Sequence, residues 1–313
     1  MVHLIITPGS KSLKKIRCET TAVTRVSSIV EAYANANGKI DPNRIKLSYV
    51  PDGEKKGKKT LKSHLTLEDN GLDFTENPEI AVTAKDVGAQ IGWRTVYIIE
   101  YLGPMLIHAL FYYAFYDAGT VTYTQLAAFN LTLLHYLKRE YETLFVHTFG
   151  TDTMPFAFLF RNSGHYWILN GLFIAFSIYA PQFKAYKGIW KYVFHVENRS
   201  LDELKAYIIV MGIFEICNFY CHVLLKRLRA DGSREHKIPR GFAFELVSFP
   251  NYMFESLSWL VFAIMVNNWS CWLFLVVGTG TMMVWAKQKH RKYKKEFGDR
   301  YPKNRTAMFP FIF

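Results

Sequence analysis

The chain has 313 residues, half of them hydrophobic, and a formal charge of +12. Length alone would allow two soluble domains and the charge alone a nucleic-acid partner. The arrangement of the residues argues against both: basic residues gather where segments of about 20 apolar residues end, as the positive-inside rule requires. Mean hydropathy is only +0.02 because a polar N-terminal part dilutes a part rich in the 25 Phe, 19 Tyr and 7 Trp. Four cysteines (Cys18, Cys217, Cys221, Cys271) have no paired spacing, so no disulfide framework is expected. The opening MVHLIITPGSKSLKK lacks the apolar run of a cleavable signal.

In chain order, residues 2–6 alternate like a short strand and 20–26 offer a second. Ser27 or Ser28 can cap a helix through Ala36, which Gly38 can end in the left-handed conformation. IKLSYV at 45–50 reads as a strand, 52–59 as a basic turn, Asp69-Asn70-Gly71 as a turn and 80–84 as a last strand. Strands around one helix within residues 1–88 predict a ubiquitin-like β-grasp domain, a docking or stability module without chemistry of its own.

Residues 89–313 predict a helical membrane domain. The first span, 93–116, contains Pro104, which cannot donate to the carbonyl of Glu100, so a kink beside an intramembrane carboxylate is expected. The second, 120–136, runs into HYLKREYETLFVH, where Tyr136, Glu140, Thr143 and His147 fall on one stripe and Lys138 faces Glu142. Residues 166–180 form a third apolar segment. In the fourth, 201–225, Glu215, Asn218, His222 and Arg229 line one face and lead into a basic loop (Lys226, Arg227, Arg229, Arg234, Lys237, Arg240). Such a stripe suits a pyrophosphate at the basic mouth with its organic part deeper. Cys217, Cys221 and His222 supply too few ligands for a metal.

Between apolar regions lies KIPRGFAFELVSFPNYMFE, 237–255, whose Asn251, Tyr252 and Glu255 are costly in hydrocarbon unless each meets a partner or a ligand. Segments 257–266 and 269–284 are the last spans, with Asn267-Asn268 as the turn between them. A basic tail follows, in which Lys289 and Tyr293 share a helical face. Basic ends after the second, fourth and sixth spans put both termini in the cytosol. Residues 242–249 are a candidate re-entrant or seventh segment. Asn198-Arg199-Ser200 and Asn268-Trp269-Ser270 are glycosylation sequons on the side then expected to be lumenal. The P-loop, GxSxG, HExxH and EF-hand patterns are absent. On this reading a membrane reductase, a transporter and a lipid-binding scaffold all remain open.

Several of these stretches, in this order, resemble one family: HYLKREYETLFVH, TMPFAF, HYW, NFYCH, KIPRGFAFELVSFPNYMFE and the terminal PFIF. They are similar to the very-long-chain trans-2-enoyl-CoA reductases of the steroid 5α-reductase superfamily. The resemblance spans nearly the whole chain and implies an endoplasmic-reticulum enzyme. Such an enzyme uses NADPH to reduce the 2,3 double bond of an enoyl-CoA at the end of each fatty-acid elongation cycle, beside the condensing enzyme, ketoreductase and dehydratase. A 3-oxo-Δ4-steroid or polyprenol reductase is the alternative enzyme, and a scaffold of a lipid-synthesis complex the alternative without catalysis. The resemblance implies catalytic roles for Tyr252 and Lys138, with Lys138 the cation beside the Tyr252 phenol. It implies that Glu100 and Tyr136 polarise the conjugated carbonyl. NADPH contacts are implied at Asn218, Arg229, Lys237, Asn251, Glu255 and Tyr293. His222 and Lys289 stand where the steroid enzymes carry an Asp and a His.

Overall fold

A computed structural model describes residues 1–51, 57–75, 78–180, 187–230 and 237–313. The chain divides into two compact units, Met1–Gly92 with Thr153–Phe158, and Trp93–Asp152 with Leu159–Phe313.

The first unit is built on strands β1 (Val2–Pro8), β2 (Ile16–Thr20), β3 (Ile45–Tyr49), β4 (Lys59–Thr60) and β5 (Glu79–Asp86), in the order β2-β1-β5-β3-β4. The central β1–β5 pair is parallel and its neighbours are antiparallel. Period-two alternation sends Leu4 and Ile6 of β1, Leu47 of β3 and Val82 of β5 into one core. Helix α1 (Val26–Ala36) closes that core with Ile29, Val30 and Tyr33. It ends as its sequence requires, with Gly38 at φ 87°. Two boundaries differ from expectation. The second strand lies earlier, because the β1 register pairs Val2 with Thr20 and the Thr21–Thr24 hydroxyl contact turns the chain there. No serine caps α1: Ser27 instead donates its N–H to Ser63. Residues 52–56 of the expected basic turn lie outside the described residues. Short strands β6 (Gln90–Gly92) and β7 (Thr153–Pro155) pair antiparallel.

The second unit is helical. Helix α2 (Trp93–Ala114) runs through Pro104, and α3 (Tyr123–Tyr141) continues as a π-turn over Glu142–Val146. The expected third span is not one regular helix. Helix α4 (Ala157–Gly164) passes into a ten-residue π-helix, His165–Ile174, and then into α5 (Ala175–Tyr179). The apolar run conceals this because the register is set by packing. Trp167 Nε1 donates to the carbonyl of Ile99 on α2 at 2.9 Å, and His108 Nε2 donates to that of Asn170 at 3.1 Å. After α6 (Ile189–Val193) come α7 (Leu201–Arg227), α8 (Pro250–Val266) and α9 (Trp269–Phe297). A Ser200/Glu203 capping box starts α7, and Lys226 and Arg227 suit its negative C-terminal end. Residues 242–249 hold only the four-residue 3-10 turn Phe242–Glu245, too short to cross a bilayer.

Among the described residues, three helices are long and apolar enough to cross a membrane: Trp93–Ala114, Leu201–Arg227 and Trp269–Arg300. Their outer faces carry Leu106, Leu110, Ile209, Ile216, Val276 and Val284, which have hydrocarbon as their natural solvent. Inside, Tyr101, Tyr136, Ile174, Met211, Trp259 and Phe262 form a continuous aromatic-rich core.

The end of the bundle at the α8–α9 turn settles the two sequons. Asn267 takes the left-handed conformation that ends α8, and Asn268 caps α9. The Asn268 amide nitrogen, the atom a glycan would need, donates to Val193 and His195 and is fully buried. Asn198 is exposed. Glycopeptide mapping of the membrane-expressed protein should place any N-glycan on Asn198 and none on Asn268; a glycan on Asn268 would contradict this turn.

Candidate active site

Helix α3 supplies the centre of the site because His135, Lys138, Arg139 and Glu142 recur at helical spacing and share one buried face. His135 bridges two carboxylates, with Nδ1 2.9 Å from Glu215 on α7 and Nε2 3.3 Å from Glu255 on α8. Lys138 donates to Glu215 at 2.7 Å and to Asn218 Oδ1 at 2.5 Å, and lies 3.4 Å from Glu142. The Asn218 amide then donates to the backbone carbonyl of Asn251 at 2.8 Å, and Trp259 Nε1 donates to Glu255 at 3.1 Å. One chain of charge-assisted bonds therefore ties α3, α7 and the start of α8 together.

Arg139 organises the neighbouring layer. It pairs with Glu142, donates to His222 Nε2 at 3.1 Å and to the Tyr101 hydroxyl at 2.8 Å. A guanidinium only donates, so His222 Nε2 accepts and its proton sits on Nδ1. His222 therefore serves here as an acceptor for Arg139, which carries the positive charge beside it. Glu142, His147 and His222 converge within 4.8 Å in a way that would suit a metal, but Glu142 and His222 already receive the Arg139 guanidinium.

Glu100 and Tyr136 belong to the same layer. Tyr136 packs against Tyr101, Tyr166 and Trp259 at ring separations of 6.2, 6.4 and 6.2 Å. Its hydroxyl is buried without a hydrogen-bond partner, as is Glu100 Oε1, so the two are not bonded to each other through those atoms. Asn251 Oδ1 is a third buried, unpartnered atom. Buried polar atoms are nearly always satisfied, so these three, which share the lack of a hydrogen-bond partner with Thr132 Oγ1, Glu142 Oε1, Ser256 Oγ and Ser258 Oγ, are candidates for completion by a ligand.

Tyr252, one residue on, lies on an aromatic platform. Its ring stacks on Phe249 at 5.6 Å, and Phe249 stacks on Tyr293 of α9 at 5.9 Å. The cation at the Tyr252 hydroxyl is Lys289, whose Nζ donates to it at 2.9 Å; Lys138 is engaged elsewhere. The expected Lys138–Tyr252 pairing is thus replaced by one between α8 and α9, which sequence spacing cannot reveal. Beneath it, Ser248 Oγ meets His290 Nδ1 and the Tyr301 hydroxyl, both at 2.6 Å, and fixes the C-terminal segment to the start of α8. Arg229 donates to the Thr148 carbonyl at 2.8 Å, and Lys226 to that of Phe145 at 2.7 Å. Lys237 is half-buried; Arg234 lies outside the described residues.

The site thus gathers Glu100, Tyr136, Lys138, Asn218, His222, Asn251 and Glu255 into linked layers, with Tyr252, Lys289 and Tyr293 on the platform. Sequence reasoning missed His135, Arg139 and Ser248. The first two were legible as the 135, 138, 139, 142 stripe of α3; Ser248 carries no local signal.

Residues 152–313 match a family model described as 3-oxo-5-alpha-steroid 4-dehydrogenase. The chain is 39% identical over 310 residues to a putative enoyl reductase of Schizosaccharomyces pombe, covering 97% of this chain and 92% of that one. It is 39% identical over 237 residues to a very-long-chain enoyl-CoA reductase of Dictyostelium discoideum, 73% of each chain. A probable very-long-chain enoyl-CoA reductase of Caenorhabditis elegans is 34% identical over 302 residues, 92% of this chain and 91% of that one.

Proposed function

The chain belongs to the very-long-chain enoyl-CoA reductases of the 3-oxo-5-alpha-steroid 4-dehydrogenase family, and from that premise we propose that it reduces the 2,3 double bond of a trans-2-enoyl-CoA with NADPH, as the last step of a fatty-acid elongation cycle. It is a membrane oxidoreductase acting on CH–CH bonds. The observation that carries the reading is that Glu100 Oε1, the Tyr136 hydroxyl and Asn251 Oδ1 are among the buried atoms without a protein partner in the described residues. Each costs about 1–3 kcal/mol unless a ligand completes it.

The residues fit a nicotinamide dinucleotide. Asn251 Oδ1 offers a buried acceptor, and Asn218, Glu255 and His222 build the wall behind it. Arg229, Lys237 and Tyr293 stand at the basic mouth. When bound, NADPH supplies the hydride for C3 of the enoyl thioester. The chain's own residues do the rest. The Tyr136 hydroxyl, buried without a protein partner among the described residues, donates to the thioester oxygen as negative charge develops there. Tyr252 delivers the proton to C2. Lys138 and His135 hold the cofactor wall in register. An endoplasmic-reticulum membrane is what the family resemblance implies, and six spans with cytosolic termini are what the basic ends of the second, fourth and sixth expected spans imply. The head's mixed sheet, with a parallel central pair and one helix across a face, supports a ubiquitin-like β-grasp, whose proposed role is docking of other elongation enzymes.

Purified protein should oxidise NADPH in the presence of a long-chain trans-2-enoyl-CoA, and Tyr136→Phe should lower kcat by about 100-fold, as loss of one oxyanion donor does, with NADPH affinity unchanged. Wild-type turnover by that variant would remove Tyr136 from the chemistry. The description of the matched family keeps a 3-oxo-Δ4-steroid as second substrate class; faster NADPH oxidation with an enone steroid than with enoyl-CoA would select it.

A further inference from the structure

We infer that Lys289 is the positioning residue for the Tyr252 proton donor, the cation that holds the phenol hydroxyl and then its conjugate phenolate. The inference rests on the enoyl-reductase reading and moves Lys289 from the cofactor's phosphate side to the proton-transfer step.

Two lysines compete for this role, and their surroundings separate them. Lys138 is bonded to Glu215 at 2.7 Å and lies 3.4 Å from Glu142, so its charge is offset by two carboxylates before any phenol is considered. Lys289 has no ion-pair contact with a carboxylate among the described residues, and its Nζ donates to the Tyr252 hydroxyl at 2.9 Å. The ammonium also sits over two rings, 5.3 Å from the centre of Tyr252 and 5.7 Å from that of Phe249. Cation–π attraction from both faces holds the flexible side chain where its N–H reaches the oxygen. The platform is itself rigid, since Phe249 stacks on Tyr252 and on Tyr293 with ring planes inclined by only 21°. Tyr293 follows Lys289 by one helical turn, so α9 presents cation and ring together.

The proton step is redox-neutral and balances without a further reagent. The Tyr252 O–H bond breaks, a C–H bond forms at C2 of the enolate, and the phenolate oxygen is left facing an ammonium that keeps its three hydrogens. Water then returns a proton to the phenolate. A hydrogen bond from Lys289 leaves the phenol's own hydrogen free to point at the substrate, because the oxygen accepts from Nζ while donating elsewhere.

The test uses full-length protein in lipid nanodiscs, with NADPH, a long-chain trans-2-enoyl-CoA and three variants. Lys289→Met should lower kcat by about 100-fold, the usual scale of general acid catalysis, while the Kd for NADPH, read by nucleotide fluorescence in the absence of substrate, stays within about 2-fold. Lys289→Arg should recover at least part of the loss, since it keeps a cationic donor. Tyr252→Phe should be as slow as the Tyr252→Phe/Lys289→Met double variant, because the lysine acts only through the phenol. The inference is overturned by wild-type kcat in Lys289→Met or in Tyr252→Phe, by a loss that lies wholly in NADPH affinity, or by penalties that multiply in the double variant. A wild-type protein that binds NADPH yet oxidises none with enoyl-CoA overturns the enoyl-reductase reading instead, an outcome visible before any variant is made.

Discussion

Lys138→Met is expected to lose NADPH affinity and stability together. Its ammonium joins Glu215, Glu142 and Asn218, through contacts of 2.7, 3.4 and 2.5 Å. Glu142 is completely buried, and the Glu215 side chain keeps only 15% of its exposure. Removing one partner of a buried pair leaves an uncompensated charge, which costs about 3–5 kcal/mol. Partial exposure of Lys138 and the remaining bonds from His135 and Arg139 place the loss near the lower end of that range, about 3 kcal/mol. The second consequence concerns the wall. Lys138 fixes the Asn218 side chain, and Asn218 in turn holds the backbone of Asn251. Without Lys138 the amide is held only by its bond to the Asn251 carbonyl, and the register of the acceptor Asn251 Oδ1 loosens. Thermal unfolding in detergent should therefore begin lower by roughly 10 °C, and the Kd for NADPH should rise by about 10-fold or more, as loss of a charged hydrogen bond implies. Unchanged stability and affinity with only kcat lost would instead return Lys138 to the proton-transfer step. Lys138→Met and Lys289→Met thus fail in different measurements, although sequence alone gives both positions the same cationic character.

How far the sequence reaches is clear from these two lysines. The Glu215–Asn218–His222 stripe is legible because one helix face repeats every three or four residues, and a polar face in an apolar helix needs partners. What the stripe meets is not legible. The bridge to it, His135, sits one residue before Tyr136, and its significance depends on α7 and α8 approaching from opposite sides. The Tyr252 partner is likewise a tertiary fact, since 37 residues separate it from Lys289. The π-helix at His165–Ile174 is hidden for another reason: hydropathy is blind to a change from four- to five-residue bonding. The same blindness affects the Asn268 sequon, a three-letter pattern whose amide is already spent on two carbonyls. In the first unit, alternation and glycine placement were enough for β1, β3, β5 and the end of α1, but not for β4, which begins where a basic turn was expected. Strand boundaries there still moved, because the β1–β2 register decides them.

The π-helix also supports the last expectation, that Gly103→Ala is severely disruptive although both residues are small and helical. A Cβ at Gly103 would lie 1.9 Å from Trp167 Nε1 and 2.2 Å from two further atoms of the indole, far inside contact distance. The ring cannot yield cheaply, because the same Nε1 donates to the Ile99 carbonyl one turn away. Overpacking of this kind costs about 1–3 kcal/mol, and loss of the Trp167 bond adds about 1 kcal/mol; the helix-propensity gain of alanine over glycine, about 1 kcal/mol, returns only part. A net loss of roughly 2 kcal/mol follows. Activity should fall further than stability, because Trp167 adjoins Tyr166, whose ring edge meets Tyr101 at 5.3 Å and Tyr136 at 6.4 Å. A shift of the π-helix therefore moves the proposed oxyanion donor, and a misplacement of about 1 Å can cost roughly 100-fold in rate. Two controls separate this from a general intolerance of alanine. At Gly171 the nearest atom, 2.9 Å away, is the flexible tip of Ile107, and at Gly280 nothing lies within 4 Å. Gly171→Ala should be mild and Gly280→Ala neutral or slightly stabilising. Trp167→Leu in the Gly103→Ala background should recover much of the activity, since it removes the clashing atoms. If Gly103→Ala retains wild-type kcat and melting behaviour, the close approach of α2 and the π-helix is not what positions Tyr136.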